Sequence, residues 1–350
     1  MKWLACELHT HTLHSDGRQT LSELAAGAVK LGFDAIALTD HNTMSGLVHK
    51  EDVARESGLL ILPGMEWTTF YGHMVTLGLD AFADWREADR YGVGEGIEAV
   101  HRHGGLAGLA HPFRIGSPAC TGCFWEYELS DWSAIDYIEV WSGTFAPVQT
   151  ANQRAYALWT DKLNEGYRIA ATSGRDWHAQ EDTEDPISVT YLGVPDDVKP
   201  AEEHLVQALR QGRASVTIGP LLGLALDVGG ERYELGSAVP PDMKGGEIRA
   251  RVSLDFAVRP GLWTLPDQTY RLMLRSNQGI DAFCDAHAEI GEYVLPVHSA
   301  ARKWLRAELW GNVRGANTLI AFTNAIYFDE GVNADEAISA GHRSYGMPGQ

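Results

Sequence analysis

The segment TLSELAAGAVKLGFDAIALTDHN, residues 20–42, changes its hydrophobic period halfway along. Leu21, Leu24, Ala25, Ala28 and Leu31 recur at the spacing of one helical face, and Thr20 with Glu23 has the Thr-x-x-Glu spacing of a capping box that opens a helix. Gly32 suits the position just past a helix end. DAIALT then reads as a short apolar strand of the buried type, ending on Asp40 and His41. The unit recurs without sequence identity. HKEDVARESG leads into LLILPGME, which ends on Glu66; GIEAVHRHGG leads into LAGLAHP, which carries His111; ANQRAYALWTDKLNEG leads into YRIAATSGRDWH, which ends on Asp176 and His178. Helix, strand, polar residue, several times over, predicts an α/β fold with a parallel sheet. In a (β/α) barrel the C-terminal strand ends share one face, so residues remote in sequence converge there.

After about residue 215 the helical period disappears. ASVTIGPLLGLALDVGG, GEIRARVSLDFAV, TYRLMLRSN, KWLRAELWG and TLIAFTNAIYF are strand-like runs, rich in β-branched and aromatic residues and separated by Gly, Pro and Asn turns. They predict a small antiparallel β-sandwich. The expected organisation is therefore a barrel over residues 1–218, a β-sandwich domain over 219–330 and a polar C-terminal tail over 331–350.

Composition narrows the partners. The net charge of −19 in 350 residues would repel a phosphate backbone, and no run of Lys or Arg offsets it, so no nucleic-acid partner is expected. The N-terminus lacks the apolar core of a signal peptide and no stretch is long enough to span a membrane, so the expected protein is cytoplasmic, with no membrane partner. Four cysteines are too few for a disulfide scaffold. Cys120 and Cys123 form CTGC, which could be half a zinc knuckle or a redox pair; with no second pair to complete a Cys₄ site, a loop with two thiols is the plainer reading.

Histidine and carboxylate at strand ends form a ligand set for borderline divalent metals, zinc, manganese or iron. The candidates are His9, His11, Asp16, His41, Glu66, His73, His111, Asp176 and His178. These are too many for one ion and about right for three. In a strand, His9 and His11 point to the same face, and Asp176 and His178 do the same if RDWH is extended. Any one of these residues alone has a dull explanation, as a surface histidine or a solvated cap. Their agreement at successive strand ends is what points to metal.

HTHTLHSDG, LTDHN, PGMEW, GHMVTLG, LAHP and SGRDWH, in that order, resemble the motifs of the PHP (polymerase and histidinol phosphatase) superfamily. The resemblance implies a distorted, TIM-like (β/α)₇ barrel with a trinuclear metal site. LRQGRASVTIGP and WLRAELWG…AFTNAIYF are similar to the closing segments of the CehA/McbA-type metallohydrolases, which carry an appended β domain. Carried over, the resemblance implies one ion on His9, His11, Glu66 and Asp176, a second on Glu66, His73 and His111, and a third on Asp16, His41 and His178. Glu7 and Asp40, beside ligands, are expected to accept the imidazoles' other N–H groups. His14 is expected to line the pocket without binding metal, and His101 and His103 to lie on a solvated helix surface.

Divalent ions bridged by a carboxylate acidify a bound water, supply metal-bound hydroxide and clamp the oxygens under attack, with no protein nucleophile needed. Arg175 and Arg114 are the candidate catalytic cations that stabilise developing negative charge, with Arg154 a weaker candidate. The expected function is a phosphoesterase acting on a small phosphomonoester or phosphodiester. The alternatives are a carboxylic ester or aryl carbamate hydrolase of CehA/McbA type, and a non-catalytic metal-binding scaffold. Trp67, Phe70, Tyr71, Phe113, Trp125, Trp141 and Trp177 could line the apolar pocket that a neutral ester requires, or simply fill the core. The expected partner is a small-molecule ester substrate, and the β domain is a candidate surface for a homo-oligomer.

Overall fold

A computed structural model describes residues 1–86, 88–115, 124–243, 247–259, 265–297 and 302–329. Cys120, Cys123 and the tail 331–350 lie outside the described residues. The N-terminal part runs β1 (Lys2–Thr10), α1 (Leu21–Lys30), β2 (Ala35–Leu38), α2 (Lys50–Ser57), β3 (Leu60–Thr69), β4 (Gly72–Leu77), α3 (Val93–Arg102), β5 (Leu106–Leu109), β6 (Tyr137–Ser142), α4 (Thr150–Glu165), β7 (Ala170–Gly174), β8 (Val189–Val194), α5 (Glu202–Arg210) and β9 (Ala214–Thr217). The capping box is present: the Thr20 hydroxyl accepts from the Glu23 N–H, the Glu23 carboxylate accepts from the Thr20 N–H, and Gly32 takes the left-handed conformation past the helix.

The strands lie in the order β8-β1-β2-β3-β4-β5-β6-β7. β1, β2 and β3 are mutually parallel, as are β5, β6 and β7, whereas β4 is antiparallel to both its neighbours and β8 is antiparallel to β1. The helix–strand reading therefore holds for two blocks, and the sheet as a whole is mixed instead of parallel throughout. The reason is local. Thr69 to Gly72 is too short for a crossover, so the chain returns as a hairpin, with Gly72 at φ +135° against Trp125. The sheet curls until the chain beyond β7 meets β1: Thr10 pairs with Trp177, the Trp177 N–H donates to the His9 carbonyl (3.0 Å), and the His11 N–H donates to the Trp177 carbonyl (2.9 Å).

The C-terminal part is all β: β10 (Leu221–Val228), β11 (Glu231–Glu234), β12 (Ala238–Val239), β13 (Ile248–Asp255), β14 (Tyr270–Ser276), β15 (Gly279–Ala286), β16 (Glu292–Val297), β17 (Trp304–Val313), β18 (Ala316–Thr323) and β19 (Ile326–Phe328). β13 alternates cleanly, with Ile248, Ala250, Val252 and Leu254 buried between more exposed residues, as expected for a sheet with one wet face. β11, β10, β13 and β16 form a four-stranded sheet, and its apolar face packs on the layer that contains β17 and β18. That second layer is not detached from the N-terminal part. β18 pairs with β9, so one sheet of 15 strands runs through both.

Two further contacts bind the halves. Asn324, buried between β18 and β19, accepts from the Ala171 N–H (2.7 Å) and donates to the Ala171 carbonyl (2.9 Å), and so covers the open edge of β7. Buried Glu308 accepts from Arg306 of the same strand (3.0 Å) and from the Tyr156 hydroxyl of α4 (2.8 Å), and the Arg306 guanidinium lies over the rings of Tyr156, Trp159 and Trp304. No helix among the described residues is long and apolar enough to cross a membrane.

Candidate metal centre

β1, β2, β5 and β7 end at one face, and the polar residues at or just past these ends are turned into it together with Glu66, which lies within β3, and His73, which lies within β4. Three groups of donor atoms result, within each of which the atoms lie no more than 4.8 Å apart: His9, His11, Glu66 and Asp176; Glu66, His73 and His111; and His11, Asp16, His41 and His178. All nine candidates from the sequence are brought together. Glu66, fully buried, belongs to two groups: Oε2 lies 3.2 Å from His9 Nε2, and Oε1 lies 2.9 Å from His73 Nδ1 and 3.2 Å from His111 Nε2. His11 also belongs to two groups, a role the sequence reading did not give it. Asp176 Oδ1 stands 3.1 Å from His11 Nε2, and Asp16 Oδ1 stands 3.0 Å from His178 Nε2.

RDWH is not extended. Asp176 takes φ +54° and His111 takes φ +29°, both in the left-handed region that costs a non-glycine residue about 1–3 kcal/mol. The bend at Asp176 sends its carboxylate to His9 and His11 while His178 reaches Asp16 and His41. His14 lies outside all three groups, its Nδ1 2.9 Å from the Ser45 hydroxyl. His101 and His103 pair with Asp136 and Asp80 on the surface of α3 and the turn after it, away from the centre.

The electrostatics are those of a buried cluster of mixed sign. Burial opposes charge on every group, but Glu139, Glu66 and Asp176 together hold the His9 imidazole well above its ordinary range. Burial also opposes ionisation of Glu66 and Asp176, yet the surrounding imidazoles hold both carboxylates well below theirs. Burial lowers His11. Even so, His9 Nε2, both nitrogens of His11, Glu66 Oε2 and Asp176 Oδ1 are buried without a hydrogen-bond partner. Leaving such atoms unpaired costs about 1–3 kcal/mol each, and a cation among them removes that cost. Imidazole nitrogen and carboxylate oxygen in groups of three and four suit zinc, manganese or iron.

The expected roles of Glu7 and Asp40 are corrected: neither touches an imidazole. Glu7 Oε1 accepts the backbone N–H groups of Arg175 (2.8 Å) and His9 (3.2 Å), and burial pushes its carboxyl up to about 7. Asp40 accepts from the Thr12 N–H and hydroxyl (both 2.7 Å) and from the Ser15 hydroxyl (2.7 Å), fixing the loop between His11 and Asp16. The imidazoles are held by residues that the sequence reading passed over. Glu139 Oε2 lies 2.8 Å from His9 Nδ1, and the Thr68 hydroxyl meets His41 Nδ1. A single acid in the strand YIEVWS was the available signal for Glu139.

The two arginines part company. Arg114, half exposed, donates to Asp176 Oδ2 (2.8 Å) at the rim of the centre. The Arg175 guanidinium instead turns onto the Trp177 ring (4.6 Å) and the Glu181 carbonyl (3.3 Å). It lines a cleft of about 340 Å³ with Arg18, Thr144, Asp176, His178 and Glu181. Arg154 lies over the Phe113 ring (4.3 Å). Trp67, Trp141 and Trp177 are buried, whereas Tyr71, Phe113 and Trp125 are half-buried and Phe70 is exposed.

A family model described as PHP domain matches residues 7–113. An uncharacterized protein of Methanocaldococcus jannaschii is 30% identical over 128 residues, which cover 33% of this chain and 71% of that protein. An error-prone DNA polymerase of Symbiobacterium thermophilum is 42% identical over 72 residues, 20% of this chain; the chain spans 7% of the polymerase's length. Among solved structures, a two-domain protein of Bacteroides vulgatus, described as containing a predicted PHP-like metal-dependent phosphoesterase, superimposes with a TM-score of 0.51 at 15% identity. The match covers 93% of this chain and 95% of that one.

Proposed function

Because the chain belongs to the PHP domain family, we propose that it is a metal-dependent hydrolase with three divalent ions, one per donor group, that cleaves small phosphomonoesters or phosphodiesters. The observation that carries this reading is the set of five buried donor atoms at the centre, on His9, His11, Glu66 and Asp176, that no hydrogen bond satisfies. When bound, the ions supply Lewis acidity and an activated water as nucleophile. The chain's own residues do the rest. Glu66 and His11 tie the three groups together, and the bends at His111 and Asp176 aim their donors inward. Arg114 keeps N–H groups free of Asp176 at the solvent side, where they can meet an anionic oxygen of the substrate and stabilise the charge that develops there. The acidic balance of the chain disfavours long polyanions, which supports a small substrate.

Two observations favour a second reading, hydrolysis of a neutral carboxylic ester or aryl carbamate in the CehA/McbA manner. Only one of the two arginines reaches the centre, and half-buried Phe113 follows the His111 ligand closely. Metal analysis followed by turnover of para-nitrophenyl phosphate, bis-para-nitrophenyl phosphate and a naphthyl carbamate on one preparation separates the readings. Phosphoester turnover that chelation abolishes and zinc or manganese restores is the expected result. Carbamate turnover alone moves the assignment to the second reading, full metal with no turnover to a scaffold, and failure to take up metal removes both hydrolase readings.

A further inference from the structure

We infer that Glu139 is a positioning residue that fixes the tautomer and orientation of His9 for metal binding, an inference that rests on the metal-centre reading above. Glu139 projects from β6, 2% exposed, and its Oε2 stands 2.8 Å from His9 Nδ1. An imidazole that binds metal through one nitrogen keeps a single proton on the other, and the Glu139 carboxylate at Nδ1 is there to accept it, so that proton belongs on Nδ1. The lone pair then belongs on Nε2, which is the unpartnered nitrogen among Glu66 and Asp176. Elsewhere at the centre, His178 Nδ1 meets the Asp176 carbonyl (2.8 Å), while His41 Nδ1 and His73 Nδ1 face Glu66 (both 2.9 Å), itself a member of two donor groups; Glu139 belongs to none of the three groups and meets His9 alone. Glu139 Oε1 has no hydrogen-bond partner, so no other donor competes for the carboxylate.

Gly174 of β7 makes the contact possible. A Cβ there would stand 2.4 Å from His9 Cβ and 3.3 Å from Glu139 Oε1. An apolar strand in the middle of a sheet has no structural use for a buried acid with one free oxygen. An acid that sets the direction of a ligand, and adds negative charge behind it, has one.

The test is zinc binding by the full chain, with affinity and stoichiometry measured by equilibrium dialysis for wild type, Glu139→Gln, His9→Gln and the double variant. The expected result is that Glu139→Gln weakens one ion about 10–100-fold and has no further effect on zinc affinity once His9 is Gln. Cobalt substitution should show the same ion's absorption band altered in Glu139→Gln. Wild-type affinity in Glu139→Gln, or an equal loss in the His9→Gln background, overturns the inference while leaving the metal centre in place. A wild-type chain that takes up no ion overturns the metal-centre reading itself. Should Glu139→Gln not fold, Glu139→Asp, which keeps the charge but shortens its reach, is read by the same comparison with His9→Gln.

Discussion

His9 and His14 are five residues apart in one histidine-rich stretch, yet only His9 faces the donor groups, because β1 delivers it to the strand-end face before the chain turns at Thr12. Replacing His9 by Gln is expected to weaken the ion of its own donor group and so lower the metal content, and replacing His14 by Ala to leave metal content intact; elemental analysis of the two variants checks both. Gly174 gives a second residue-scale prediction. Gly174→Ala places a methyl against His9 Cβ, and overpacking of this kind costs about 1–3 kcal/mol, readable as a lower urea midpoint with an unchanged slope. The nine donors were legible in the sequence because imidazole and carboxylate are conspicuous at the ends of apolar strands. Glu139 was not, because a lone acid in a strand is as readily an exposed residue as a buried one, and Gly174 was not, because its role exists only once β1 and β7 are side by side.

Helices and strands were readable from period and caps, but strand direction was not. The period of two is the same for a parallel and an antiparallel neighbour, which is why β4 and β8 could not be told from β2 and β5 until the connection lengths were known. Nor could the pattern show that β9 and β18 share a ladder, which joins the C-terminal strands to the N-terminal sheet. Asn324 makes that junction testable. Its amide serves both backbone groups of Ala171 on the strand that leads to Asp176, so Asn324→Ala leaves an N–H and a C=O buried and unpaired. At about 1–3 kcal/mol per unpaired group, the variant should unfold at clearly lower denaturant and show reduced metal occupancy. Unchanged stability would mean that water or a neighbouring side chain satisfies Ala171 instead.

At the scale of the whole molecule, the β layer acts as a buttress for the α4–β7 segment. Buried Arg306 depends on Glu308 for its counter-charge, and Glu308 also holds Tyr156 of α4. Glu308→Ala strands a guanidinium in the interior and is expected to cost about 3–5 kcal/mol, measured by chemical denaturation. The chain as a whole carries a net charge of −19, and its centre gathers Glu66, Asp176 and Asp16 among six imidazoles with Glu139 behind one of them, an arrangement that invites cations from solution. The measurement that bears most directly on this arrangement is the metal content of the purified full-length chain after dialysis against zinc or manganese. Three ions per chain is the predicted result, and a chain that retains none would contradict it.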